Sequence, residues 1–209
     1  KTVGFVIESS KLACDEVIVV DGHSIDETVG VAKQYGARIV NDNGKGKGDA
    51  MRVGAEAASN EILVFIDADG SHNPLDIPRL VEPIQFGNAD IVIGSRGRGG
   101  SDELHGDLGK LIRMVGSDII MIGINWRFRS YLTDSQNGFR AIRRDVFLDL
   151  GLKENITTIE QEMTMKALKK GYTVAEVPTH EYERRAGKST IKLSRVWFRY
   201  IYSFLINLF

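Results

Sequence analysis

Cysteine is almost absent: Cys14 is the only one in 209 residues. That excludes an intrachain disulfide and a cysteine-based zinc site, and it fits a reducing compartment. Net charge is nearly absent too, at −1, so bulk electrostatics gives no reason to expect nucleic acid as a partner. No uninterrupted apolar run of about 18 residues exists, so no complete transmembrane helix is expected. Glu8 interrupts the first ten residues where a signal peptide would continue its apolar core. The histidines at 23, 72, 105 and 180 share no metal-ligand spacing. There is no Walker A loop, no strand-GxGxxG-helix fingerprint and no internal repeat. What is present, 43% hydrophobic and 26% charged residues, is an ordinary globular composition. The length suits one large domain or two small ones.

One stretch organises the rest. Residues 62–66 (ILVFI) are apolar and run straight into Asp67-Ala68-Asp69-Gly70. A short continuous apolar run reads as a strand buried on both faces. Strand side chains alternate, so Asp67 and Asp69 point the same way if the extended geometry continues. In open α/β sheets ligands bind at the carboxyl ends of strands. Two carboxylates converging there suit a hard divalent cation, which takes one or two carboxylates plus substrate phosphates. The plainer alternative is an acidic turn ahead of a helix, since Asp-Gly and Asn73-Pro74 are common turn pairs.

Around this centre, strands alternate with helices. Residues 2–7 and 16–20 read as the first two strands, 37–41, 90–94 and 174–178 as later ones. Helices are expected over 27–35, 49–59, 75–86, 108–124, 145–150 and 158–170. Only residues 8–15 separate the first two strands, whereas a parallel crossover needs about 10–12 residues. Either those strands are not parallel or a segment is missing between them, and the second is preferred. The loop NGKGKG (residues 43–48) leads into a helix whose N-terminus favours anions, though a solvated loop is the plainer reading of this element alone. The alternation argues a doubly wound, mostly parallel sheet flanked by helices.

The tail differs. Lys188, Lys192, Arg195 and Arg199 fall on one helical stripe. Nearly everything else from 196 to 209 is apolar or aromatic. Fourteen helical residues rise about 21 Å, short of the roughly 30 Å hydrocarbon core. A basic, aromatic amphipathic helix lies in the membrane interface and favours anionic lipid. The alternative is a helix docked on the domain or on a second copy of it. The apolar pattern runs up to residue 209, and a transmembrane segment beyond it is one expectation.

Taken in order, these elements resemble the family 2 glycosyltransferases with a GT-A fold. They are most similar to the polyprenyl-phosphate sugar synthases, which make dolichyl-phosphate mannose and its glucose counterparts. The similarity rests on VVDGHSIDET (19–28), NGKGKGDAMRVGAEAA (43–58), DADGSH (67–72), ADIVIGSR (89–96), TDSQNGFRAIRRDVF (133–147) and HEYERRAGKST (180–190). The chain departs from the family pattern at three points. The early Pro-Tyr-Asn-Glu stretch is absent, Ser71 stands where mannose synthases often carry glutamine, and Thr190 replaces a common lysine.

The resemblance implies an inverting transfer of a hexose from a GDP- or UDP-sugar to polyprenyl phosphate. It implies catalytic roles for Asp134 and Asp69, with Mg2+ or Mn2+ held by Asp69 and Asp67. The nucleotide-sugar would contact Asp21, Lys47, Gly48, Asp67 and Ala68. The acceptor phosphate would meet Arg96, Arg113, Arg184, Arg185, Lys188 and Ser189. It also implies a catalytic domain over 1–187, a membrane-proximal helix over 188–209, the cytoplasmic face of a membrane, and scope for a homo-oligomer. Two rivals stand beside this reading. A transferase to a saccharide hydroxyl would need Asp134 as a general base, but the Gln-x-x-Arg-Trp motif of processive synthases is absent. A silent sugar-nucleotide-binding subunit would not need Asp67, Asp69 and Asp134 intact.

Overall fold

Residues expected as the first strand form a helix instead, α1 (Thr2–Ser10). Its buried positions, Val3, Val6, Ile7 and Ser10, recur at helical spacing. An apolar hexapeptide satisfies both periods by eye, and packing of Val3 and Ile7 against Val19, Ala32 and Ile39 selects the helix. Turn hydrogen bonds from Lys11, Leu12 and Ala13 to the carbonyls of Ile7, Ser9 and Ser10 carry the chain off α1 without interruption. The expected missing segment near residues 8–15 is therefore corrected: helix and turn lead directly into the first strand.

A computed structural model describes residues 2–102, 108–184 and 193–208; in the helices opening at 108 and 193, side chains are described from 114 and 197 onward. After α1 come β1 (Ile18–Asp21), α2 (Thr28–Gln34), β2 (Arg38–Asn41), α3 (Lys47–Ala57) and β3 (Ile62–Phe65). A 3-10 turn at Pro74–Asp76 opens α4 (Ile77–Gln85), followed by β4 (Ile91–Ser95), α5 (Arg96–Gly99) and α6 (Leu108–Phe128). The chain continues with β5 (Arg140–Arg143), α7 (Arg144–Asp149), α8 (Ile159–Lys170), β6 (Val174–Pro178) and α9 (Leu193–Leu208).

The strands form a parallel pair, β1-β2, and a four-stranded sheet in the order β3-β5-β4-β6. Strands β4 and β6 are parallel, while β5 runs antiparallel between β3 and β4. This central strand was not expected from the sequence, and it makes the sheet mixed. Between β1 and β3 lies a cavity of about 380 Å³, lined by both strands, α1 and α3.

Alternation within the strands builds the layers. Ile91 and Ile93 of β4 and Ile142 of β5 pack with Met51, Phe147, Ile159 and Met163 from α3, α7 and α8. Val92 and Ala141 face the other way, onto Ile77, Leu80 and Ile84 of α4. Every position of β4 is buried, which is why its sequence shows no polar alternation. Helix α9 docks through Leu208, Phe204 and Tyr200 onto α6 and α8. It does so over Gly123, where an added Cβ would fall 2.4 Å from Phe204. The outward faces of both helices remain exposed, with Ile119, Ile122 and Trp126 on α6 and Trp197, Phe198, Tyr202 and Leu205 on α9. Among the described residues no helix is long and apolar enough to cross a membrane.

Candidate active site

A cavity of about 940 Å³ opens where β3, β4, the 133–138 loop and α8 converge, roofed by α6 and α9. Its lining gathers Lys47, Asp67, His72, Arg96, Asp134, Glu160 and Arg184. From α6 and α9 it adds the apolar Met114, Ile119, Ile120, Trp197 and Ile201, with Ser117 and Asp118 among them.

Asp67 lies two residues past the end of β3, and Lys47 reaches it from the first turn of α3, with Nζ 2.9 Å from Oδ1 and 3.0 Å from Oδ2. The same Nζ is 2.8 Å from Oε1 of Glu160 on α8. Gly138 lies against all three, since a Cβ there would fall 2.5 Å from Lys47 Nζ and 3.2 Å from Asp67 Oδ2. Burial works to raise the Asp67 pKa, but the charge and hydrogen bond of Lys47 outweigh it and the carboxyl lies below the usual range. Burial opposes the Lys47 charge, yet Glu160 and Asp67 hold its pKa above the ordinary value.

Asp69 accepts the Ser71 amide at 3.0 Å and lies 3.3 Å from Arg184 Nε. The Tyr182 amide donates to the Ser71 carbonyl at 2.8 Å, and this tie carries Arg184 to the acidic loop. His72 is buried, stacks on Phe139 at 5.1 Å, and leaves Nδ1 without a hydrogen-bond partner among the described residues. Burial holds its pKa below the ordinary imidazole value. Among the described residues no three His, Cys, Asp or Glu side chains could hold a metal ion by themselves. Two carboxylates are what a hard divalent cation takes when substrate oxygens complete its shell, so Asp67 and Asp69 fit such an ion together with a diphosphate.

Asp134 is saturated. It receives Arg96 Nε at 2.7 Å, Arg96 Nη2 at 3.0 Å and the Arg96 amide at 3.2 Å. The amides of Gln136 and Asn137 add 3.0 and 3.1 Å bonds. Burial pushes its pKa up, the Arg96 charge and the hydrogen bonds outweigh burial, and the carboxyl lies below the ordinary range. Glu176 on β6, whose side chain is shielded from solvent, fixes this loop by accepting the Thr133 and Asp134 amides, each at 2.8 Å.

Other expected positions fall differently. Asp21 ends β1 and accepts the Ser24 amide at 3.1 Å, outside the large cavity. Ala68 lines the cavity beside β1. The Gly48 amide is spent on the Asn155 carbonyl at 2.9 Å, so it is not open to a diphosphate. A Cβ on Gly48 would fall 2.2 Å from the Glu154 carbonyl oxygen, which explains the glycine by packing. Arg113 belongs to α6, but its side chain lies outside the described residues, as do Arg185, Lys188 and Ser189.

Two residues were missed by sequence reasoning. Arg140 is fully buried and donates to the carbonyls of Asn137 at 2.9 Å, Glu160 at 3.0 Å and Ser135 at 3.3 Å. It ties the 135–139 loop to α8, and burial brings its pKa down to about 10. Glu160 looks in sequence like an ordinary acid in a first helical turn, and only the fold turns it into the cavity.

The profile of the Glycosyl transferase family 2 matches residues 2–151. The chain belongs to this family. Among curated relatives, Glycosyltransferase AglJ of Haloferax volcanii is 34% identical over 83% of this chain and 56% of its own length. The Undecaprenyl-phosphate mannosyltransferase of Micrococcus luteus is 36% identical over 62% of this chain and 52% of its own. The chain thus spans about half the length of each of these two relatives. The Dolichyl-phosphate hexose transferase of Haloferax volcanii is 28% identical over 84% of this chain and 73% of its own. The fold matches glucosyl-3-phosphoglycerate synthase from Mycobacterium tuberculosis with a TM-score of 0.79, at 24% identity, over 99% of this chain and 75% of that one. The Rossmann-like GT-A fold is therefore shared along nearly all of the chain, while the family match itself covers residues 2–151.

Proposed function

We propose that the chain is the catalytic part of an inverting hexosyltransferase. It moves a hexose from a nucleoside-diphosphate sugar to a polyprenyl phosphate at a membrane surface. The observation that carries this reading is the mixed lining of the cavity. Acids and bases share it with Met114, Ile119, Ile120, Trp197 and Ile201, beside the exposed apolar faces of α6 and α9. A charged head group attached to an apolar chain fits such a site, with the tail directed along α6 and α9. Relatives named for undecaprenyl-phosphate and dolichyl-phosphate transfer support the same class of acceptor.

Asp134 supports it as well. A sugar hydroxyl needs a general base, but this carboxylate already accepts three bonds from Arg96 and two from loop amides. A phosphate acceptor is anionic near pH 7, by analogy with phosphoserine and its second pKa of about 6, and needs no such base. Asp134 then orients Arg96, and Arg184 joins it in screening phosphate charge. Asp67 and Asp69 would hold Mg2+ or Mn2+, which when bound supplies charge neutralisation at the leaving diphosphate. Lys47 adds a positive charge at the same end. The structures of the phosphoglycerate enzyme in complex with Mn2+ and UDP support this choice of cation.

The test is transfer of labelled sugar from GDP-mannose and UDP-glucose to short polyprenyl phosphate, with Mn2+, Mg2+ or EDTA. Label should enter the organic phase only with metal, and Asp69→Ala should abolish it. Transfer to saccharide hydroxyls but not to lipid phosphate would overturn the acceptor assignment.

A further inference from the structure

The cavity wall beside Arg96 is glycine-rich. Residues 96–100 read Arg-Gly-Arg-Gly-Gly, and glycine gives up more conformational freedom on ordering than any other residue. The stretch just past β6 holds this segment in place. The Glu181 amide donates to the Gly100 carbonyl at 3.1 Å, and the Asp102 amide to the Glu181 carbonyl at 2.8 Å. Ser101 Oγ adds a 2.5 Å bond to Glu181 Oε2. Gly100, Ser101 and Glu181 all line the large cavity.

His180 closes this contact. Its Nδ1 lies 2.9 Å from the Gly99 carbonyl oxygen, and its Nε2 lies 2.9 Å from Asp102 Oδ1. A carbonyl and an ionised carboxylate only accept. A neutral imidazole carries one N–H and one lone pair, so in either tautomer a lone pair would face an oxygen. The imidazolium donates on both sides. The ring comes this close because position 100 lacks a side chain: Gly100 has φ +95°, and a Cβ there would fall 2.9 Å from Nδ1. At Gly99 a Cβ would fall 2.3 Å from the Thr179 carbonyl oxygen.

We propose that His180, as the imidazolium, is a pH-sensitive clasp that positions the 99–102 wall of the cavity for the acceptor. The clasp stands without any substrate; its effect on lipid phosphate rests on the acceptor reading above. Among the described residues, the charges around the ring favour its own. Asp102 pairs with it, Glu181 adjoins it in the chain, and the Tyr182 ring packs on it at 4.7 Å. The arginines of α5 are spent elsewhere, Arg96 on Asp134 and Glu181, Arg98 on Glu176 at 3.2 Å. The bonds to Gly99 and Asp102 hold the His180 pKa above the ordinary imidazole value. The clasp is therefore complete below the unfolded value of about 6.5 and is lost as pH rises through the folded one.

Nitrogen NMR of the histidine rings tests the clasp on the unaltered protein. His180 should carry protons on both nitrogens at about pH 6 and titrate above the ordinary value of about 6.5. In Asp102→Asn its midpoint should fall by at least about half a unit. His180→Gln keeps a neutral donor and does not titrate, so it serves as the reference at each pH. Amide exchange at Asp102 and Glu181, relative to His180→Gln, should accelerate about three- to tenfold as the ring loses its proton, the range of one net hydrogen bond. The KM for short polyprenyl phosphate, relative to His180→Gln, should rise by a similar factor through the same midpoint, with kcat and the KM for nucleotide-sugar level. A neutral ring at the acidic end, or a midpoint unmoved by Asp102→Asn, would overturn the imidazolium. Exchange and KM ratios that stay level while the ring titrates would overturn the positioning role. A protein that uses no lipid phosphate loses the acceptor reading, and the exchange ratio then decides the clasp.

Discussion

Replacing Asp134 by Asn separates an anchor from a base. The substitution keeps one oxygen, enough for the amides of Gln136 and Asn137 at 3.0 and 3.1 Å. It puts an NH2 where Oδ2 now receives Arg96 Nε at 2.7 Å and the Arg96 amide at 3.2 Å. Two hydrogen bonds are lost and donors are left facing donors. Both side chains are largely buried, 15% exposed for Arg96 and 4% for Asp134. Breaking a buried pair from one side costs about 3–5 kcal/mol. Glu181, 3.5 Å from Arg96 Nη1, retains part of the compensation and places the value near the lower end. A loss of about 3 kcal/mol lowers the melting temperature of a domain this size by roughly 6–12 °C. Urea unfolding should show the midpoint fall with an unchanged slope. Adding Arg96→Met should cost less than it does alone, with a coupling of about 1–3 kcal/mol. A loss under 1 kcal/mol, or no coupling, would refute the anchor assignment.

The pH dependence follows from the same pair. A carboxyl depressed in the folded state contributes stability that is complete above its unfolded pKa, about 3.9, and is lost as pH falls through the folded value. The stability gap between the unaltered protein and Asp134→Asn should be flat from pH 5 to 8 and close below about pH 4, as read by urea titrations at each pH. Gly48→Ala should destabilise by about 1–3 kcal/mol in thermal melts, because its Cβ meets the Glu154 carbonyl oxygen. Ile119→Glu with Trp197→Glu should weaken co-sedimentation with anionic vesicles while leaving the melting temperature within about 2 °C, since surface substitutions cost little. Both side chains are exposed, and unchanged sedimentation would remove the apolar faces from the membrane contact.

The sequence announced what depends on local pattern. An apolar run ending in two acids marked β3 and its loop, and period 3.6 marked α4, α6 and α8. Helix α1 was misread because TVGFVI offers too few residues to separate the two periods, and packing decided. Strand β5 escaped because it is short and flanked by arginines, one inside and one outside: Arg140 is buried and Arg143 exposed. Its register between β3 and β4 depends on contacts far away in the chain. The acids and bases of the site were legible as types, their pairings were not. That Arg96 belongs to Asp134, Arg184 to Asp69 and Lys47 to both Asp67 and Glu160 follows only from the fold.

Those pairings bear on the choice of acceptor. Asp67 accepts Lys47 through both oxygens, and Asp134 accepts Arg96 through both. Glu181 accepts Ser101 at 2.5 Å and lies near Arg96. A carboxylate so occupied is a weak base, and lowered pKa values at Asp67 and Asp134 make both weaker. Glu160 pairs with Lys47 through Oε1 at 2.8 Å. Asp67 and Asp134 are thus held as fixed charges rather than as groups ready to take a proton. Such a site suits an acceptor whose attacking oxygen is already negative, where positioning and charge screening supply the catalysis.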